Sequence, residues 1–361
     1  MKALHSYANL VDDHPEQHSG PLCSEANKGE VSVEALNTSV EWRRPEAKLA
    51  RLNKALLRLI GTLTASEFTR AKDVDAVREI LRNTLLTEFL SERMLYAVAG
   101  PQGAGKTTLM RELYGLDPTW LRANPGLGEA VPILVVESEI ESAQGTFWEV
   151  ADVGDETHLV NRKVAPPEWQ SGAKALGESV MVLELRVPMT FFGVPGMGFL
   201  LLPGYEMGDE DLPWQELMRR ALIASPGAVV VTDEQLMATA QQERIVEDLR
   251  KLYRGAIRPT VCVSRTETLQ SAESRQALTE RAAAVFSVHP SSVVLTGTGE
   301  EYLKGWSDQL RSCIGSEQDP SSSRPLQLQQ LVRILDVELR RILRSLEDEA
   351  QVDDLLESLG F

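Results

Sequence analysis

The stretch YAVAGPQGAGKTTLM, residues 96–110, constrains the fold of this chain more than any other part of the sequence. An apolar run leads into Gly100 to Thr107, which match the pattern G-x-x-x-x-G-K-[ST], and a helical pattern follows. The motif needs this setting, because small residues let successive backbone N–H groups turn inward around phosphate oxygens, and a helix N-terminus adds its dipole. We therefore predict a phosphate-binding loop between a buried strand and a helix.

The positions of this loop predict contacts with a nucleoside triphosphate. Lys106 is expected to neutralise the β- and γ-phosphates, and the Thr107 hydroxyl to ligate Mg²⁺. The other loop residues that we expect to line the nucleotide are Gly100, Pro101, Gln102, Gly103, Ala104, Gly105 and Thr108.

Apolar, often Val-rich runs alternate with helical patterns through the middle of the chain. The strand-like runs are MLYAVAG, AVPILVVES, VMVLELRVP, GFLLLPG, AVVVTDE, PTVCVSR and SSVVLTG. Helices are predicted between them at residues 213–224, 239–253 and 270–285. This alternation predicts an α/β fold, in which a mostly parallel sheet carries helices on both faces.

The patterning divides the chain into five regions. Residues 1–44 are polar and lack periodicity, which predicts a disordered leader. Apolar residues at helical spacing predict flanking helices over 45–93, and the phosphate-loop domain follows over 94–317. Polar residues 318–325 are expected to form a linker. A leucine stripe on a last helix, 326–359, is expected to pack on the N-terminal helices as a helical bundle element.

Composition excludes several other classes of protein. No apolar run reaches the roughly 18 residues of a membrane-spanning helix, and the first residues do not resemble a secretory signal, so we expect a cytoplasmic protein without a membrane anchor of its own. A net charge of −16 argues against binding to nucleic acid through bulk electrostatics. The cysteines, Cys23, Cys262 and Cys313, are too widely spaced for a metal site and are expected to be unpaired thiols. The five histidines are scattered and predict no metal site either.

Further motifs, taken in order over residues 75–315, resemble the dynamin-like large GTPases, particularly their bacterial branch. LLTEFLSERMLYAVAG resembles the passage from a bundle helix into the G domain, and GLGEAVPILVVE resembles the switch region with its strand. LLPGYE is similar to D-x-P-G, CVSRTE to the base-reading motif N/T-K-x-D, and VLTGTGEEYLKGW to the loop that closes over the base. The resemblance implies a GTP-binding G domain over 94–317 that hydrolyses GTP to GDP with Mg²⁺.

The resemblance also implies roles for particular residues. Gln102 matches a phosphate-loop glutamine that places the attacking water, so Gln102 and Lys106 are the expected catalytic residues. The family's nucleotide-binding positions outside the loop correspond to Gly204, Ser264, Arg265, Glu267, Thr296 and Gly297. A partner is implied as well, either a second copy joined through the G domain or a second protein subunit.

The chain departs from the family pattern at the positions that bind the metal ion and recognise the base. Leu201 stands in place of the aspartate of D-x-P-G, and Glu129 lies nearest the place of the switch threonine. Ser264, Arg265 and Glu267 replace Asn, Lys and Asp of the base motif. Arg265 can stack on a purine and Glu267 can accept the two guanine N–H donors, so a weakened preference for guanine is expected.

Alternatives remain open at this point. LLPGYE also fits a strand followed by a Pro-Gly turn, and SRTE also fits a helix-capping box. AVVVTDE resembles the acidic strand end of P-loop ATPases, with Asp233 on Mg²⁺ and Glu234 polarising water. Against that reading, the strand-like runs between it and Lys106 are expected to place Asp233 away from the phosphates, in a solvated loop. A third hypothesis is a pseudo-GTPase that serves as an interaction module.

The stretch 138–178 is longer than the connection between two strands needs, so an insertion of unknown contacts is expected there.

Overall fold

The computed structural model describes residues 45–65, 71–122, 131–153, 156–174, 179–204, 225–239, 259–269 and 271–316, together with single helical positions at 245, 247, 336, 340 and 344. The predicted leader, the linker and nearly all of the C-terminal helix lie outside the described residues. So do Glu129, the helix predicted at 213–224 and most of the one predicted at 239–253.

The described elements alternate along the chain. The helices are α1 (Pro45–Ala65), α2 (Ala71–Glu92), α3 (Lys106–Tyr114), α4 (Pro166–Lys174), α5 (Ala272–Phe286) and α6 (Glu300–Ser316). The strands are β1 (Met94–Ala99), β2 (Ile133–Ser138), β3 (Gln144–Val153), β4 (Glu156–Val164), β5 (Val180–Pro188), β6 (Met197–Leu201), β7 (Ala228–Thr232), β8 (Thr260–Val263) and β9 (Val293–Leu295). Short 3-10 turns lie at Leu236–Ala238 and Pro290–Ser292.

The strands form one mostly parallel sheet in the order β4-β3-β5-β2-β6-β1-β7-β8-β9. β6, β1, β7, β8 and β9 run in one direction, with Val98 opposite Leu201 on one side of β1 and Val229 on the other. β2 and β5 are parallel to each other and antiparallel to β6. All seven strand-like runs are confirmed as strands, and so is the predicted α/β class.

Side chains of alternate strand residues form two apolar clusters, one on each face of the sheet, as a pleated strand requires. Ala97, Leu200 and Val230 lie in the cluster that α1, α2 and α5 cover. Val98 and Leu201 lie in the opposite cluster, which α3, α4 and α6 cover. The cysteines Cys262 and Cys313 are buried in this second cluster, where Cys313 Sγ donates to the Ser291 carbonyl at 3.2 Å.

The predicted insertion at 138–178 extends the sheet instead of standing apart from it. β3 and β4 form an antiparallel hairpin that pairs through β3 with β5, and α4 then packs beneath it. Trp169 of α4 is completely buried and donates from Nε1 to the Trp120 carbonyl at 2.7 Å. A Cβ at Gly145 would lie 2.7 Å from the Trp169 ring, so only glycine lets strand and indole approach this closely.

The two N-terminal helices cover the sheet at this end. α1 and α2 pack on each other, α1 lies against β4, and α2 lies against β5 and β1. Their contact includes a hydrogen bond from the Asn53 side-chain amide to the Glu88 carboxylate. Packing of the C-terminal helix 326–359 on them stays a prediction.

A buried carboxylate fixes the sheet edge opposite the phosphate loop. Glu137, at the end of β2, is completely buried, and its oxygens accept the backbone N–H groups of Phe191, Phe192 and Gly193 at 2.8, 2.9 and 2.8 Å. Burial, together with this nearby carboxylate, raises the pKa of the Tyr114 phenol. Three N–H donors satisfy Glu137 and hold the β5–β6 loop in place.

A second buried carboxylate, Glu184 of β5, lies beneath the end of α2. Arg93 Nη1 lies 3.0 Å and Trp148 Nε1 2.7 Å from its Oε2, and Arg186 Nε lies 2.8 Å from its Oε1. Burial alone raises the pKa of Glu184, but the two arginines and the indole outweigh it and hold that pKa below its ordinary value of 4.5. A depressed carboxyl pKa stabilises the folded state above the unfolded pKa, and this stabilisation is lost as pH falls through the folded value.

We therefore expect Glu184→Gln to lower the free energy of unfolding by about 3 kcal/mol at neutral pH, because it leaves the half-buried Arg93 and Arg186 without their buried carboxylate. The deficit relative to the native chain should shrink as pH falls from 4.5 through the lower pKa of Glu184 in the folded state, because the unfolded chain takes up the proton first. Urea unfolding at several pH values measures this, with the exposed Glu280→Gln as the control. A deficit that is constant with pH would contradict the assigned charge.

No described helix is both long and apolar enough to cross a membrane.

Candidate functional site

The carboxyl ends of five neighbouring strands meet at one edge of the sheet. β6, β1, β7, β8 and β9 all point to this edge because they are parallel, and the residues that follow each of them therefore converge there. In open α/β sheets, ligands bind in the crevice outside the carboxyl ends of the strands.

The phosphate loop leaves β1 at this edge and turns directly into α3. Gly103 and Gly105 have φ angles of 76° and 96°, in the left-handed region that favours glycine. A Cβ at Gly103 would meet nothing within 4 Å, so this side of the loop is open, whereas a Cβ at Gly105 would lie 3.2 Å from Ser264 Oγ. The loop therefore has the shape of a backbone nest with one open side.

Lys106 is the first residue of α3 and is only 5% exposed. Its Nζ donates to the carbonyls of Gly100 and Pro101 at 3.0 and 3.1 Å, so the ammonium lies inside the curve of the loop. Leu109, Met110 and Leu113 bury the opposite side of the helix and anchor it on the sheet. Thr107 and Thr108 lie half-buried on its first turn.

Gly204, after β6, lies against the phosphate loop. A Cβ there would come within 2.9 Å of Gln102 Cα, and the Leu202 N–H donates to the Val98 carbonyl at 3.1 Å. The structure thus brings together the two residues that the sequence proposed for the γ-phosphate and the attacking water.

Leu201, the last residue of β6 and three residues before Gly204, is completely buried in the apolar cluster beside α3. Among the described residues there is no group of three His, Cys, Asp or Glu side chains that could hold a metal ion. Thr107, the metal ligand that the sequence predicts, lies on the first turn of α3, and residue 201 supplies no carboxylate beside it.

Ser264 and Arg265 follow β8 and contact the phosphate loop instead of forming a separate site. Ser264 Oγ donates to the Ala104 carbonyl at 2.8 Å, and Arg265 Nη2 donates to the Gly103 carbonyl at 2.8 Å. Arg265 has a φ of 61°, which is uncommon for a residue with a side chain. Ser264 does not cap any described helix or 3-10 turn, because its hydroxyl donates to the phosphate loop instead.

The prediction that Asp233 lies away from the phosphate loop is wrong. Its strand, β7, is the direct neighbour of β1, although three strand-like runs separate them in the chain. Nor is Asp233 in a solvated loop: it is buried, and Oδ2 pairs with Arg265 Nη1 at 2.6 Å. Oδ1 accepts the N–H groups of Gln235 and Leu236 at 3.0 and 2.8 Å, so both oxygens have protein partners.

The loops after β8 and β9 are joined to each other. Thr266 donates from its backbone N–H and from Oγ1 to the Thr296 carbonyl, at 3.1 and 3.0 Å. A Cβ at Gly297 would lie 2.7 Å from Glu267 Oε2, so this glycine lets the carboxylate approach the next loop. Trp306 Nε1 donates to the Gly297 carbonyl at 3.2 Å and fixes the loop to α6. The structure therefore groups Glu267, Thr296 and Gly297.

The ion pair between Asp233 and Arg265 is the feature of the site that the sequence did not predict. The sequence motifs predict different functions for the two residues, metal binding for Asp233 and base binding for Arg265. Strand order in the sheet, which is not chain order, brings them together. An acidic residue at one strand end and an arginine at another, in neighbouring parallel strands, is the pattern that could have indicated the pair.

The comparisons with known proteins add little to this geometry. No family model and no curated protein matches the chain. Among solved structures it is similar, at 12% identity and a TM-score of 0.41, to a chain described by the words "An oligomerised bacterial dynamin pair provides a mechanism for the long range sensing and tethering of membranes". The similarity covers 86% of this chain and 49% of that one, so this chain spans about half the length of its neighbour. Likeness at this level carries no argument about activity.

Proposed function

We propose that this chain binds a purine nucleoside triphosphate, GTP in preference to ATP, and hydrolyses it slowly to GDP and phosphate with Mg²⁺. The observation that carries the proposal is the loop between β1 and α3, with left-handed Gly103 and Gly105 and with the Lys106 ammonium inside its curve. Backbone N–H groups at a helix N-terminus, together with a buried cation, favour a group that carries several negative charges.

Four residues would divide the work on the phosphates. Lys106 would neutralise charge that develops on the transferred phosphoryl group, and Gln102 would orient the attacking water. Gly204 lies against Gln102, and its backbone N–H would contact the terminal phosphate. The Thr107 hydroxyl would hold Mg²⁺, which screens the phosphate charges when bound.

The base would lie between the loops after β8 and β9. Glu267 would accept the two N–H donors on the Watson–Crick edge of guanine, a pattern that adenine does not present. Arg265 would stack on the ring and Ser264 would fix its loop to the phosphate loop, with Thr296 and Gly297 closing the pocket. This arrangement supports GTP as the preferred ligand.

Slow turnover follows from Leu201. A carboxylate at this strand end would hold Mg²⁺ through water, and its loss affects hydrolysis more than binding because charge builds up in the transition state. We expect Leu201→Asp to raise turnover per folded molecule without tightening GTP affinity more than a few-fold. Because residue 201 is completely buried, the same change should lower the melting temperature markedly.

Leu201→Ala is the matched control. It removes the same apolar side chain, at a cost of about 2 to 5 kcal/mol, and adds no carboxylate, so its turnover should not rise. Phosphate release at a temperature where both variants are folded separates the two effects. Lower turnover in Leu201→Asp at unchanged affinity would show that this strand end does not serve a metal.

Two other functions make different predictions in the same assays. The ATPase alternative requires Asp233 on Mg²⁺, which its contacts with Arg265, Gln235 and Leu236 oppose. The pseudo-GTPase alternative is favoured by the apolar burial of Leu201. Equilibrium binding of GTP, GDP and ATP with and without Mg²⁺, followed by turnover measurements, tests all three functions. Preference for GTP with slow hydrolysis supports the proposal, and preference for ATP supports the ATPase alternative. Binding without turnover supports the pseudo-GTPase alternative.

The resemblance to dynamin-like GTPases also suggests how hydrolysis is used. We propose that the nucleotide drives assembly of a homodimer through the G domain, or regulates a second protein subunit, in the cytoplasm. Sedimentation of the purified chain with GDP and with a non-hydrolysable GTP analogue tests the first form, since only the triphosphate state should shift toward dimer.

A further inference from the structure

Asp233 and Arg265 form a junction between two strand ends and the phosphate loop. The Asp233 side chain is 4% exposed, and its Oδ2 lies 2.6 Å from Arg265 Nη1. Arg265 Nη2 is 2.8 Å from the Gly103 carbonyl. The guanidinium is thus held at both terminal nitrogens, on one side by a carboxylate and on the other by the loop.

Two fixed nitrogens define the orientation of a planar group. A guanidinium is rigid and planar, so contacts at Nη1 and Nη2 leave little freedom to rotate. Even so, the Arg265 side chain is 62% exposed, which means that its contacts cover an edge while much of its surface faces solvent. A fixed planar cation with an open surface is suited to stacking against a flat aromatic ring.

Asp233 has the properties of the group that sets this orientation. It is itself immobilised, because its Oδ1 accepts two backbone N–H groups of the following 3-10 turn. Charge-assisted hydrogen bonds are the strong ones, and this pair is buried on the Asp233 side. Arg265 has a left-handed backbone, at φ 61°, and its side chain contacts both the phosphate loop and the Asp233 carboxylate.

We propose that Asp233 is a positioning residue, which fixes the guanidinium plane of Arg265 as the stacking surface for the purine base. This inference rests on the proposed function and adds to it a residue that does not touch the nucleotide. It also assigns Asp233 a role other than metal ligation. Glu267 would still distinguish guanine from adenine. Loss of the Asp233 charge should therefore lower GTP and ATP affinity by the same factor.

The variant that tests this is Asp233→Asn. Asparagine keeps an oxygen for the Gln235 and Leu236 N–H groups but removes the charge that holds Arg265. We expect GTP and ATP affinities to fall by roughly three- to tenfold each, the range of a cation–π contact, and tripolyphosphate affinity to change by less than about twofold. Asp308→Asn, which removes a carboxylate from an exposed pair with Arg311, is the control and should leave all three unchanged.

A double-mutant cycle shows whether Asp233 acts through Arg265. In an Arg265→Ala background, Asp233→Asn should cause no further loss of GTP affinity, whereas independent roles would give losses that multiply. The same cycle on unfolding without nucleotide reports the ion pair itself and should be non-additive. Additive losses in GTP affinity, or equal losses for tripolyphosphate and GTP, would overturn the inference.

Failure of this inference and failure of the proposed function give different results. If the native chain binds GTP and Lys106→Ala does not, but Asp233→Asn binds as the native chain does, then only the positioning role is wrong. If the native chain binds no nucleotide, the proposed function is wrong and the positioning role is overturned with it.

Discussion

Lys106→Ala is expected to weaken GTP binding by about 100-fold or more, because it removes the ammonium that lies inside the curve of the phosphate loop. The backbone nest alone then has to hold a ligand with several negative charges. Calorimetric titration with GTP in the presence of Mg²⁺ measures the loss. Circular dichroism should show that the variant keeps its fold, since the two carbonyls it frees lie on a loop at the sheet edge.

Lys163→Ala is the matched control for this experiment. Lys163 is exposed on β4, at the far end of the sheet, and its removal changes the net charge of the chain by the same amount. Its GTP affinity should equal that of the native chain. Near-native binding by Lys106→Ala would show that nucleotide, if bound, does not use this loop.

The second large effect is expected from Gly100→Ala. A Cβ at residue 100 would lie 2.2 Å from the Val231 carbonyl oxygen, a backbone atom of the neighbouring strand that has no side-chain freedom to move away. Either β1 and β7 separate or the loop shifts. We expect a loss of about 3 kcal/mol or more in the free energy of unfolding, a large part of the stability of a typical domain.

Gly115→Ala separates this clash from ordinary glycine strain. Gly115 ends α3 with a φ of 59°, and a Cβ there would meet nothing within 4 Å. It should therefore cost only about 1 to 2 kcal/mol, the penalty of a left-handed residue with a side chain. Urea unfolding of both variants tests the difference, and equal costs would contradict the close approach of Gly100 to β7.

Strand positions were predictable because buried parallel strands are continuous apolar runs. MLYAVAG and AVVVTDE needed no knowledge of the tertiary fold, and both are strands within one or two residues of the predicted ends. The hairpin β3–β4 was not predicted, because Glu156 to Lys163 form an edge strand that is mostly exposed or half-buried. Such a strand lacks both the continuous apolar run and the clean alternation that reveal a buried one.

The phosphate loop was predictable in position and setting, since its residues are contiguous in the chain. The contacts that join the ends of separate strands were not predictable, because their residues are far apart in the chain. Chain order placed Asp233 far from Lys106, whereas the sheet places β7 next to β1. A motif gives the residues of a site, but the order of strands in the sheet decides which of them meet.

The helical regions show the same limit. The stripes of α1 and α2 predicted helices correctly, and these helices use their apolar sides against each other and against the sheet. For the C-terminal helix, the described positions Asp336, Arg340 and Arg344 are helical. Its packing partner stays a prediction, because an apolar stripe indicates burial without indicating against what.

Hydrogen exchange of the native chain, with and without GTP and Mg²⁺, tests the central claim most directly. We expect GTP to slow exchange in peptides covering residues 100–108 and 264–267, because backbone N–H groups of the loop would bind phosphate and the loop after β8 would close on the base. Peptides from β4, at the other end of the sheet, should exchange at an unchanged rate. Unchanged exchange at residues 100–108 under saturating GTP would contradict the claim that this loop is a phosphate site.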